Sequence, residues 1–113
     1  MTVASTATRR IVDEVTSWPG VEVGPGERGE LAVRLGRREL GHLHDGAAHF
    51  GFPKHVWTGL YEQKRVEYHP VFPGRPGFAA RRIESDADVQ DVIALLRLNY
   101  ERIAARHGQP EMD

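Results

Sequence analysis

The chain contains no cysteine, which excludes disulfides, thiol catalysis and thiolate metal ligands. Serine is nearly as scarce. Ser5, Ser17 and Ser85 are the only three, and none stands in a nucleophile-elbow context, so a Ser-His-Asp hydrolase is not expected. Lysine occurs only as Lys54 and Lys64; arginine carries the rest of the basic charge, a bias that reads as genome composition. An excess of one sign is also missing. Fifteen basic and 16 acidic residues leave a net charge of -1, which lacks the electrostatic footprint of a nucleic-acid binder. No apolar run approaches membrane-spanning length, and the first fifteen residues have no apolar core of the signal-peptide kind. The expectation is a cytoplasmic protein with neither nucleic acid nor membrane as partner. The glycines of "GPGERG" are not followed by a helix-opening Lys-Ser/Thr, so they do not read as a phosphate loop.

What is present suffices for one globular domain. The 113 residues are 40% hydrophobic and 27% charged, a balance that supports a core and argues against disorder. Residues 1–113 read as a single domain with 1–4 and 109–113 frayed. Ile11, Val15 and Trp18 at helical spacing predict a helix over 5–17, stopped by Pro19. A short strand at Val21–Val23 follows. Alternation in Leu31, Val33 and Leu35 predicts a strand, with Gly36-Arg37 at the centre of a type II′ hairpin and a return strand over 38–44. Residues 47–50 read as a further short strand. Pro53 is expected to open a second helix whose buried stripe is Val56, Trp57, Leu60 and Tyr61. "RVEYHPVF" and "FAARRI" read as a hairpin around "PGRPG". Ser85 or Asp86 caps a last helix with one apolar face of Val89, Val92, Ile93, Leu96, Tyr100 and Ile103, ended near Gly108. The fold class is α+β: an antiparallel sheet of about five strands, helices on one face, in the order α-β-β-β-α-β-β-α.

Histidine is concentrated where most other reactive residues are absent. Four of six lie between positions 42 and 55. His42 and His44 sit two apart on one strand, so they share a face about 6.6–6.8 Å apart. His69 precedes Pro70, which holds it extended and near a sheet edge, and makes it the natural third member. His49, which could face away from the pair, and His55, at a helix start, are weaker candidates. A half-buried histidine bonded to a backbone carbonyl would account for any of them without chemistry. Asp45 and Glu67 are the nearby acids. As a proton-handling pair, the imidazoles could take an enolic or phenolic proton while an arginine, Arg81 or Arg82, stabilises the anion. Phe50, Phe52, Trp57, Tyr61, Tyr68, Phe72 and Phe78 could wall a flat ligand; core packing is the alternative for these aromatics, and is favoured for Trp57 and Phe78.

"GHLHDG", "FGFPKHVWTGL" and "RVEYHPVFPGRPGFAARRIESDADVQDVIALLRLNYERI" resemble the luciferase-domain family, small bacterial proteins grouped with fungal bioluminescence luciferases. The resemblance spans residues 30–104. It implies a small-molecule ligand and, by similarity to the fungal members, oxygenation of an enolisable pyrone-type or aromatic substrate by molecular oxygen without a cofactor. Carried over by position, the catalytic candidates are His42, His44 and His69. Substrate-binding candidates are Phe50, Phe52, Tyr68 and Arg82, and no metal is expected. A non-catalytic ligand-binding or interaction module is the alternative.

Overall fold

The computed structural model describes residues 5–107. Its elements are α1 (Thr6–Val15), β1 (Val21–Pro25), β2 (Leu31–Leu35), β3 (Arg38–His44), β4 (Ala47–Gly51), α2 (Lys54–Glu62), β5 (Glu67–Tyr68), β6 (Phe78–Arg82) and α3 (Asp86–His107). The strands form one antiparallel sheet in the order β1-β2-β3-β4-β6-β5. The class is α+β as expected, with six strands rather than about five because residues 47–51 form a strand of their own, paired along its length with β6 and over Ala47–His49 with β3. The segments expected to fray, and Gly108 as a helix stop, lie outside the described residues. Among the described residues no helix is long and apolar enough to cross a membrane.

Local chemistry explains most boundaries. Ser5 accepts the Thr8 N–H at 3.0 Å and caps α1. Gly36 takes φ +62 between β2 and β3, the conformation a type II′ turn demands at its first central residue. Pro53 stands one residue ahead of α2 as its N-cap rather than inside it. The strand expected from "RVEYHPVF" shrinks to Glu67–Tyr68, since Pro70 has no N–H to extend the ladder. Ser85 accepts the Asp88 N–H and opens α3.

α3 packs across one sheet face with α1 beside it. Val89, Val92, Leu95, Leu96 and Tyr100 are essentially inaccessible, and they meet Ile11 and Val15 of α1 and Val33, Leu40 and Leu43 of the sheet in one core. Each such burial contributes about 1.5–3 kcal/mol relative to exposure. The Tyr100 hydroxyl also donates to the Pro19 carbonyl at 2.9 Å. Arg81 of β6 points to this same face. It pairs with Asp88 at 2.6 Å and Asp91 at 3.3 Å, while Arg65 holds Asp91 from the other side at 2.6 Å.

A β-bulge sets the geometry of β3. Val33 opposes Gly41 and Arg34 opposes Glu39, which leaves Leu40 without a partner on β2. The extra residue turns Leu40 into the core with Gly41 and Leu43. Asn99 of α3 is buried and repairs the interruption: its amide donates to the carbonyls of Leu40 and Gly51, each at 3.0 Å. Gly41 leaves room for this approach. A Cβ there would lie 2.9 Å from the His49 carbonyl oxygen and 3.0 Å from Leu96 and Phe50 carbons.

Candidate functional site

The face opposite α3 carries the histidines. Asp45-Gly46 joins β3 to β4, so His44 pairs with Ala47, Leu43 with Ala48 and His42 with His49. Directly opposed residues project to the same side of an antiparallel pair, so His49 joins His42 and His44 instead of facing away. The row continues outward to Ala32 on β2 and Ala80 on β6. Two alanines flanking two imidazoles leave space above the sheet that larger side chains would fill. His69 reaches the same side from the end of β5: Glu67 opposes Ala80, and the His69 N–H donates to the Phe78 carbonyl at 3.3 Å, extending the pairing by one residue.

The four rings form one cluster. Ring centroids lie 5.0 Å apart for His42 and His44, 5.2 Å for His42 and His49, 4.5 Å for His44 and His49, and 4.1 Å for His49 and His69. A cleft of about 330 Å³ opens over them. Val71 and Phe72, on the segment after His69, supply its apolar wall, and the Phe72 ring packs 5.3 Å from His69. Glu27, Arg28 and Glu30, from the loop before β2, form the opposite rim.

Two hydrogen bonds assign the proton positions of two rings. Nδ1 of His42 lies 2.9 Å from a Glu39 carboxylate oxygen. A carboxylate only accepts, so Nδ1 carries the proton and Nε2 keeps its lone pair. His69 is the reverse. Its Nδ1 accepts the Val71 N–H at 3.0 Å, so the neutral ring bears its proton on Nε2. The cleft therefore holds one imidazole nitrogen that accepts and one that donates. Nδ1 of His49 is buried with no hydrogen-bond partner among the described residues.

Crowding keeps most of these rings uncharged. Burial, and then repulsion from His69, His44 and His42, pushes His49 down to about 4. Burial, followed by repulsion from His42, lowers His44, with Glu30 opposing the shift. Burial, then His42 and His44, lowers His69. On the rim, a backbone N–H bond chiefly holds the Glu30 carboxyl below its ordinary range, with a lesser contribution from the two β3 histidines.

The family profile described as "Luciferase domain" matches residues 37–99, more than half of the chain. The chain belongs to the luciferase-domain family. The matched part of this luciferase domain contains all four clustered histidines, Glu39 and Asn99, whereas the rim residues Glu27, Arg28 and Glu30 precede it. No curated protein and no solved structure matches the chain.

Several residues expected at a site lie elsewhere in the luciferase domain. His42, His44 and His69 are brought together. Phe50 and Phe52 are instead buried core residues, stacked 5.4 Å apart; Phe50 alternates with His49 and so faces α3. Tyr68 also takes the face opposite its neighbour His69, and its ring packs against Trp57 and Tyr61 of α2. Arg82 shares the histidine face but turns outward to Glu67 at 3.0 Å, away from the cleft. Arg81 is committed to α3. His55 is exposed on α2 and outside the cluster. Sequence reasoning missed Glu39 and Arg28 and set His49 aside as a weaker candidate; of the seven aromatics it offered as a wall, Phe72 lines the cleft. The two-residue turn after His44 was the available signal for His49, because it fixes the 42–49 register. No periodicity could assign Glu39, whose position depends on the bulge.

Proposed function

We propose that the histidine cleft binds a small, flat, weakly acidic molecule and removes its enolic or phenolic proton. Nε2 of His42 accepts the proton, and Nε2–H of His69 donates to the oxygen that becomes anionic. The opposed tautomers of these rings carry this reading, because acid–base work on one hydroxyl needs an acceptor and a donor side by side. The cleft volume lies near the lower end of about 300–1,000 Å³ for small-molecule sites, which favours a ring-sized ligand. Phe72 and Val71 offer it an apolar surface.

Membership of the luciferase-domain family supports the further step of oxygenation. The enolate carbon supplies two electrons to molecular oxygen and forms a C–O bond. The peroxide anion then takes back the proton held on His42, so substrate and oxygen sum to a hydroperoxide. This balance needs no resident cofactor.

Oxygen uptake by purified protein, measured with a simple hydroxypyrone, tests the reading. Uptake is expected, and His42→Ala or His69→Ala should reduce it by about 10²–10⁴-fold, the usual worth of a general acid or base. Unchanged uptake in both variants would overturn the assignment. Thermal stabilisation by the hydroxypyrone with no uptake would leave a binding module in place of an enzyme.

A further inference from the structure

The same cluster has the composition and spacing of a metal site. His42, His49 and His69 each offer a ring nitrogen, and these nitrogens lie within 4.8 Å of one another. Tetrahedral ligation with metal–nitrogen bonds of about 2.0–2.1 Å sets ligand nitrogens about 3.3 Å apart, so modest side-chain rotations close the set. We infer that His42, His49 and His69 form a binding site for one borderline divalent transition ion of the zinc, nickel or cobalt class.

Independent features support this choice. The ligand set is purely imidazole, which suits such ions better than magnesium or calcium, whose sites are built from oxygen. The Glu39 carboxylate at Nδ1 of His42 is the outer partner that metal-bound histidines almost always have, fixing the ring with Nε2 towards the ion. The unpartnered buried nitrogen of His49 is a polar group that the protein alone leaves unsatisfied. The ligands come from three elements, β3, β4 and the end of β5, held by the sheet pairing. Three protein ligands at an open cleft also leave a coordination position for water or a small anion, the arrangement of reactive rather than purely structural sites.

His69 supplies a distinctive signature. Its Nδ1 accepts from Val71 in the described structure, so the ring must give up that bond for its neutral form to coordinate. Ion binding therefore frees the Val71 amide and couples occupancy to the segment that walls the cleft. It also takes the Nε2 lone pair of His42, so an ion and a proton-donating ligand exclude each other. The site itself is read from the residues and does not depend on the proposed chemistry.

Equilibrium dialysis of chelator-treated full chain against zinc chloride and nickel chloride tests the inference. One ion per chain is expected, with the Val71 amide resonance shifting on addition of zinc. His49→Ala should weaken binding by at least about 100-fold, and Glu39→Gln by about 10–100-fold, the usual effect of losing an outer partner. His49→Asn serves if the alanine variant fails to fold, and His55→Ala should bind as the parent does. Absence of saturable binding would overturn the site. So would affinity unchanged in the folded His49 variant, which would place the ion elsewhere.

Discussion

An imidazole lone pair is useful only where something decides which nitrogen carries it. In this chain a carboxylate decides for His42 and a backbone amide decides for His69, and the two decisions are opposite. Glu39→Gln tests the first. A carboxamide can donate or accept, so it no longer dictates that Nδ1 is protonated. The parent should show His42 as the Nδ1–H tautomer by long-range ¹H–¹⁵N correlation, and the variant a mixture. Stability should change by less than about 1 kcal/mol, because the pair is partly exposed. A tautomer indifferent to the substitution would show that Glu39 does not orient the ring. The role of Glu39 was not legible in the sequence. Strict alternation puts residues 39 and 42 on opposite faces, and only the extra residue in β3 brings them together.

At the scale of elements, legibility followed the range of the interaction. The Gly36-Arg37 hairpin, a cap at Ser85 or Asp86 and most of the apolar face of α3 are written in residues a few positions apart and were legible in the sequence, although Leu95 belongs to that face and Ile93 is only partly buried. His49 was harder, because its face follows from the register of a second hairpin. Asn99 was invisible: it lies on the buried side of α3, and its partners are carbonyls 48 and 59 positions away. The bulge, Asn99 and Gly41 form one joint between α3, β3 and β4. Gly41→Ala is expected to strain it. The new methyl would meet the His49 carbonyl oxygen at 2.9 Å, and backbone in a central strand cannot move aside cheaply. Overpacking of this kind costs about 1–3 kcal/mol, to be read as a lower urea midpoint with unchanged slope. Displacement of His49 should weaken ligand binding in the same variant. A midpoint equal to that of the parent would show that the joint yields without cost.

The whole molecule is a sheet with unequal faces. One is sealed by α1 and α3 around an apolar core, and the other gathers four imidazoles beneath two loops. The order of elements along the chain was readable, but the pairing of β4 with β6 was not, because β6 follows β4 only after a helix and an edge strand. The candidate apolar wall was misplaced for a related reason: Phe50 and Tyr68 alternate with histidines, so the rings next to the site in sequence lie across the sheet from it. The concentration of histidine on one face also fixes how folding depends on pH. His49 titrates near 4 in the folded protein against an ordinary value of 6.5, so between those values the unfolded chain binds more protons than the native one. Stability is then fully present above about 6.5 and is lost as pH falls towards 4. His44 and His69 are lowered too and act in the same direction. The depressed carboxyls Glu30 and Asp88 contribute only further down, since their ordinary values are 4.5 and 3.8. Urea unfolding of chelator-treated protein should therefore show stability falling between pH 6.5 and 4.5, and His49→Gln should flatten that slope. A slope unaltered by the substitution would mean that His49 holds its charge as readily in the folded chain as in the unfolded one, and that the cleft is wetter and less crowded than its ring spacings imply.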